Sequence, residues 1–474
     1  MSTLFGALDT AGSALDAYQQ ALNVVQNNIT NSSTPGYASQ SANLVAQPFD
    51  TASGLAGGVA ARGLISARDE FADEEVNRQL HSLGMYEAQS QATSELSANF
   101  DATGNTGVTA DLNQLYSSFS AWSIAPNSPT AQQQVLATAG NLASGVQSLA
   151  SSLQQAGQSM QTQIGNTVQQ INTLTAQIQQ LNIQRGQSLS PDPGLDAQMH
   201  SALEQLSELV NFSQITQPNG MVTVILSGGT PLVLGNQQYA LSANALVPAG
   251  SANPKAPPSS QILDSQGNDV TAQITGGKLG GLLDAHNRVL ASLIGNGSQA
   301  GSLNQFAKTL ADTVNNILES GTVSTAAGAA KGVALFTYDN SDPTLAAGSL
   351  AVNSSITPSQ LAPVDSSGNS NGNALQLASL ANSTASGGIN GQTFGQFFSS
   401  IESFIGNENA TANTNQQSQT QVVTQTRALR DQVSGVSLDD QAVQMMQFQK
   451  SYQAAARLIT VIDSLTQTTV NMIQ

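Results

Sequence analysis

Residues 4–40 read LFGALDTAGSALDAYQQALNVVQNNITNSSTPGYASQ, and the architecture follows largely from this stretch. Leu4, Leu8, Ala11, Leu15, Tyr18, Leu22, Val25 and Ile29 recur at alternating steps of four and three. That spacing is a heptad seam on one face of a helix, the pattern by which helices pair. The helix has a defined stop. Pro35 lacks the amide proton to continue it and pushes Thr34 toward extended geometry. Pro35-Gly36 then suits the two central positions of a type II turn, the glycine supplying the positive φ.

The other end of the chain repeats the theme. Residues 434–473 read SGVSLDDQAVQMMQFQKSYQAAARLITVIDSLTQTTVNMI, where Met445, Phe448, Tyr452, Ala455, Ile459 and Ile462 step by three and four. Leu458, Val461 and Leu465 form a second stripe beside them, a width that suits a helix touching more than one neighbour. Ser437 is placed to cap this helix, and Asp439 and Asp440 favour its positive N-terminal end. An amphipathic helix with no partner is marginal, because ordering a residue costs ~1–2 kcal/mol and burying a leucine returns only ~1.5–3 kcal/mol. Both ends are therefore expected to be mobile in the monomer and to order when neighbours cover the seams.

Between the ends, residues 112–184 carry no charge, yet scattered Gln and Ser exclude a membrane span. Val146, Leu153, Met160, Thr167, Leu174 and Leu181 recur every seven residues, with Ile164, Ile171 and Ile178 as companions, predicting a long helix from about 130 to 185. Ser190-Pro191-Asp192-Pro193-Gly194 turns the chain into a returning helix bearing Leu195, Met199, Leu203, Leu206 and Val210. Strands are expected at 221–226 and 232–234, a loop at 248–260, a helix over 279–318, and a β-rich insertion at 321–372. Helix resumes before 395 and breaks near Ser434-Gly435. The expected fold is mainly α with β-rich insertions. Residues 1–60 and 436–474 form a terminal coiled coil, and 61–212, 276–320 and 373–435 a helical bundle. Residues 213–275 and 321–372 form an outward β-rich part.

Composition narrows the functions. Of 474 residues only 13 are Lys or Arg, and the net charge is −17, which argues against nucleic acid and anionic membrane as partners. With no cysteine there are no disulfides, thiolate metal sites or cysteine nucleophiles. No charged segment and apolar run of a secretory signal follows Met1, which points either to the cytoplasm or to export by a machine that reads no such signal.

No chemistry-bearing constellation emerges. His81, His200 and His286 are far apart and read as ordinary surface histidines. Gly295-Asn296-Gly297 with Gly301 misses the dinucleotide spacing and reads as a loop between helices. Gly435-Val436-Ser437-Leu438-Asp439 lacks the last glycine of a nucleophile elbow. Asp264–Asp269 lacks the glutamate of a calcium loop and reads as a turn. No catalytic residue, metal ligand or cofactor site is expected.

The stretch NNITNSSTPGYASQ, with Asn28, Asn31, Thr34, Pro35, Gly36 and Tyr37, resembles the N-terminal signature of flagellar rod, hook and hook-associated proteins. Ser39 stands where that family often has Arg. The 434–473 stretch resembles the matching C-terminal signature through Gln447, Gln449, Tyr452, Ala454, Ala455 and Ala456. The coiled coil together with LDAQMHSALEQLSELVNFSQI and GGKLGGLLDAHNRVLASLI is similar to the hook-associated protein 1 family, although Asp196-Ala197-Gln198-Met199 departs from its charged pattern. The resemblance implies a structural, extracellular subunit of the junction between hook and filament, passed unfolded through the flagellar type III export apparatus. The implied partners are other copies in a ring, the hook protein, a second hook-associated junction protein and an export chaperone near the C-terminus. Assembly would rest on Leu15, Leu22, Ile29, Asn31, Thr34, Pro35, Gly36 and Tyr37 at one end. At the other it would rest on Met445, Phe448, Tyr452, Ile459 and Ile462. In such proteins the terminal helices pair along the axial channel, and helices this poor in charge leave little for salt bridges to set their register. Two other readings stand beside this one: a hook or distal-rod subunit, which an all-β middle would favour, and a secreted adhesin or enzyme carried on flagellar ends.

Overall fold

The computed structural model describes residues 2–50, 55–100, 106–188, 192–217, 219–246, 259–296, 299–384 and 388–473. In chain order these form α1 (Ser2–Thr30), a hairpin of β1 (Gln40–Ala46) and β2 (Val59–Ser66), α2 (Glu70–Ser97), α3 (Gly107–Ile124), α4 (Pro129–Gln187) and α5 (Pro193–Leu209). There follow β3 (Phe212–Thr216), β4 (Val222–Leu226), β5 (Pro231–Leu234), β6 (Gln237–Gln238), β7 (Ser242–Leu246) and β8 (Ser259–Leu263). The longer helices of the remainder are α6 (Gly277–Asp284), α7 (Ser302–Ser320), α8 (Gly372–Ser379), α9 (Phe394–Ser434) and α10 (Leu438–Ile473). The fold is mainly α with small antiparallel sheets.

The chain divides into two compact units. The first comprises Met1–Ser82, Ile171–Ala240 and Gln419–Gln474, and the second Leu83–Gln170 and Leu241–Ser418.

In the first unit the two terminal helices pack against each other, and the β1–β2 hairpin lies along α1. The hairpin was not foreseen, because residues 40–46 show no clean alternation of apolar and polar side chains. A meander, β3-β4-β5-β6, forms a second sheet in this unit. Asn182 at the end of α4 is fully buried and bonds both the amide and the carbonyl of Val222, tying that sheet to the helix. His81 packs edge-on against Phe212 with ring centroids 5.1 Å apart.

The second unit holds one continuous apolar core built on α3, the first part of α4, α7 and α9. Phe306 meets Phe394 edge-on and packs tilted against Phe398, and Trp122, Phe119, Leu115 and Leu142 are fully buried in the same core. The heptad residues of α4 serve as predicted. Val146, Leu153, Met160, Ile164, Ile171, Ile178 and Leu181 are all buried, while Leu174 is half-buried. In the uncharged part of this helix the buried Thr167 and Thr175 donate their hydroxyl protons to backbone carbonyls of the helix itself.

Three expectations need correction. The helix expected over 279–318 is broken at Gly295 and Gly301, whose φ values of 82° and 80° place them in the left-handed region. The backbones press so closely there that a Cβ on Gly301 would lie 2.3 Å from the Gly295 nitrogen, so the glycines end one helix and start the next. Before that break, Ala285–Leu290 forms a π-helical turn. Within 321–372 regular strand is scarce: Phe336–Thr337 pairs with Ala351–Val352, and isolated bridges from Thr322 hold the rest. The histidines are not surface residues. His286 is buried, with Nδ1 3.0 Å from the Asn287 amide oxygen, and His200 lies inside an ionic cluster described below. Polar neighbours in sequence misled here, since a polar residue beside a histidine can share its buried site, as Asn287 does with His286.

Two local expectations fall where they were placed. The Asp264 carboxylate accepts from the amides of Gln266 and Asn268, closing a turn. Ser437 caps α10 through the Asp440 amide. Asp192 caps α5, with Pro193 as its first residue; Ser190, Pro191, Gly297 and most of the 248–260 loop lie outside the described residues.

Candidate functional site

The two chain ends meet at one joint, and its centre is a polar residue. Asn28, near the end of α1, is fully buried. Its Nδ2 donates to the Gln40 carbonyl at 2.7 Å and to Gln441 Oε1 at 2.9 Å. Its Oδ1 accepts from the Gln40 amide at 3.0 Å and from the Tyr37 hydroxyl at 2.9 Å. One side chain thus links α1, the turn after it, the first strand and the start of α10. From that point α10 runs back along α1, so the helices are antiparallel. Sequence reading picked out Asn28 as a signature residue but not as a hub, since its partner Gln441 is 413 positions away.

The Thr34-Pro35-Gly36-Tyr37 turn closes with Tyr37 donating to the Thr34 carbonyl at 3.1 Å. Gly36 has φ 72°, as the third position of such a turn requires. It also presses against α5, where an added Cβ would lie 2.3 Å from the Ala197 oxygen and 2.8 Å from the Ser201 nitrogen. Asn31 does not reach α10. It bonds back to Asn27 and accepts from Thr34 Oγ1, which keeps the turn folded.

The seams are placed as follows. On α10, Ala455 and Ile462 are buried and Met445, Phe448, Tyr452 and Ile459 half-buried. On α1, Ala11 and Val25 are buried, whereas Leu15, Leu22 and Ile29 are half-buried. The residues that close α1 most tightly, Ala17 and Ala21 among them, are small and draw its neighbours in. Outside the seam α10 leaves Val443, Met446, Leu458, Val461 and Leu465 more than half exposed.

Beneath the turn lies an ionic cluster that sequence reading missed. Arg68 donates to Asp73 and Asp196, both at 2.7 Å, and to the Gly36 carbonyl at 2.5 Å. Arg185 also pairs with Asp196, and Arg430 and Arg427 both hold Glu204. Of these, Arg68, Asp73, Glu204 and Arg430 line, with Ser434 and Tyr37, a cavity of about 330 Å³. A buried charge is costly unless paired and hydrogen-bonded, and here each carboxylate meets at least one guanidinium. Burial alone would raise the Asp196 carboxyl, but Arg68, His200 and Arg185 outweigh it and hold it below its usual range. His200, with Nδ1 3.3 Å from Asp73, is pushed down to about 4 by burial and by Arg68. His81 falls to about 4 through burial alone, and its Nε2 has no partner.

These histidines predict an acid response. Their folded values lie below the ordinary 6.5, so the unfolded chain takes up protons first as pH falls. Stabilisation present above pH ~6.5 should drain away down to pH ~4, at most roughly 3 kcal/mol for each histidine. His81→Phe should therefore flatten the fall in urea midpoint between pH 7.5 and pH 5. A fall as steep as in the unchanged chain would show that His81 does not carry it.

Among the described residues no group of acidic and imidazole side chains could hold a metal ion, and no helix is long and apolar enough to cross a membrane. What the joint can do is hold helices. Over residues 93–336, just over half the chain, the sequence matches the model of the Flagellar hook-associated protein FlgK helical domain. The chain belongs to the FlgK hook-associated protein family. Membership makes it a structural subunit of the bacterial flagellum at the junction between hook and filament, in a family of structural proteins and not of enzymes. Two shorter matches fall on the ends: a flagella basal body rod protein at 8–37, and the C-terminal part of flagellar basal body rod FlgEFG proteins at 430–472. These are the residues that build the joint.

Among similar proteins, Flagellar hook-associated protein 1 of Bacillus subtilis is 26% identical, covering 99% of both chains. That of Escherichia coli is 34% identical over 22% of this chain and 19% of its own length. The structure of the flagellar hook junction protein FlgK from Burkholderia pseudomallei shares the fold, with a TM-score of 0.64 at 17% identity, covering 76% of this chain and all of that one.

Proposed function

We propose that this member of the FlgK family forms a ring by packing its paired terminal helices against those of neighbouring copies at the hook tip. The observation that carries this is the long apolar stripe on α10 left uncovered after α1 has taken its seam. An isolated monomer gains little from such a stripe, and an assembly can bury it. The helices gain their full order on assembly. The residues assigned to this role are Leu15, Leu22, Ile29 and the Asn31–Tyr37 turn at one end, and Met445, Phe448, Tyr452, Ile459 and Ile462 at the other. Export in an unfolded state, outside the cell and with the help of a chaperone, fits a chain that has no cysteine cross-link. Hook protein on one side and a second hook-associated protein on the other complete the proposed partners. The segments 213–275 and 321–372 are proposed to face outward.

Ile459→Asp tests the reading. It places a charge in the α1–α10 seam while touching none of the second unit's core. The variant should be recovered from the culture medium with a normally folded second unit, and should be absent from isolated hooks. An assembled junction built from it would refute the assignment of the seam.

A further inference from the structure

Resting on that reading, we propose that the outward faces of the terminal helices are covered by a second copy of this chain, in a register set by two rows of opposite charge. Asp9 and Asp16 on α1 of one copy meet Arg457 and Lys450 on α10 of the next.

All four side chains are exposed, and none takes part in an ion pair among the described residues. Each pair is seven residues apart, which puts its members on one helix face about 10.5 Å apart along the axis. The acidic row lies on the side of α1 away from its buried stripe of Ala11, Ala17, Ala21, Val25 and Asn28. The basic row lies half a turn from the α10 seam at Gln441, Ala455 and Ile462. Helix α1 carries no basic residue. The other acids of α10 are elsewhere: Asp439 and Asp440 sit at its start, and Asp463 is about a third of a turn off the basic row.

Alignment supports the match. With Asn28 opposite Gln441 in the antiparallel pair, Asp16 is level with Gln453 and Asp9 with Thr460. Lys450 and Arg457 are each three residues away, an axial step of about 4.5 Å. Because the two spacings are equal, one small step brings both pairs together at once. Apolar side chains flank both rows, Leu8 beside Asp9 and Leu458, Val461 and Leu465 near Arg457, all exposed. Apolar contact edged by opposite charges is how helix pairs choose partner and register. The rows sit on different helices, so matching them joins unlike surfaces, and the contact repeats around a ring. Sparse charge was expected to leave register unset; two pairs at matched spacing suffice.

The test uses the full chain in flagellated cells lacking their own copy. Reversing Asp9→Lys with Asp16→Lys, or Lys450→Glu with Arg457→Glu, should each lower the chain on isolated hooks about tenfold, with unchanged amounts in the medium. The four substitutions together should restore incorporation to within about threefold. A combined variant no better than either reversal, or reversals without effect, would overturn the register. Absence of the unsubstituted chain from hooks would instead sink the assembly reading itself.

Discussion

Asn28→Asp should destabilise the first unit by roughly 3 kcal/mol although it changes no side-chain volume. The amide nitrogen of Asn28 serves two acceptors, the Gln40 carbonyl and Gln441 Oε1. A carboxylate oxygen in that place faces acceptors with no proton to give, and a charge is left where no solvent reaches. Leaving buried polar groups unpaired costs ~1–3 kcal/mol each, more when one is charged. Asn28→Ala removes the same bonds without adding charge, and should be as damaging or slightly less so. Urea unfolding followed by hydrogen exchange over residues 30–45 and 438–445 reads the effect directly. If Asn28→Asp stayed within 0.5 kcal/mol of the unchanged chain, roughly the scatter of surface substitutions, the hub would be incidental.

Gly36→Ala should be comparably severe for a different reason. Alanine in the left-handed region costs ~1–2 kcal/mol. Its Cβ would also sit 2.3 Å from the Ala197 oxygen, a backbone atom inside a helix that cannot swing aside. Forcing α5 away adds ~1–3 kcal/mol of the kind seen in overpacked cores. The same measurement should show a loss of roughly 3 kcal/mol, with faster exchange in α5. Gly12 provides the contrast. It lies within α1 with nothing within 4 Å of an added Cβ, so Gly12→Ala should stabilise by up to ~1 kcal/mol. Equal effects from the two substitutions would remove the argument from close approach.

These two residues mark the limit of what the sequence discloses. The helices were legible because apolar side chains carry a period along the chain: the Ile164, Ile171, Ile178 row and the Met445–Ile462 seam were read at their positions. Pro35-Gly36 was legible because both residues restrict their own backbone. The ionic cluster was not, since Arg68 meets Asp196 across 128 positions and Arg430 meets Glu204 across 226. Charge on a side chain says that a partner is needed and nothing of where it comes from. The same blindness made surface residues of His200 and His286. The hairpin at 40–66 escaped for want of alternation, because its faces are only half-buried and impose no strict pattern.

The distance in sequence between Asn28 and Gln441 has a kinetic side. A knot tied between the two extremities can be drawn tight only after the last tenth of the polypeptide has joined the first. Until then Gln40 and Tyr37 wait with their central partner short of one neighbour, and the fastening stays loose. A copy lacking Gln441 has nothing with which to close the clasp.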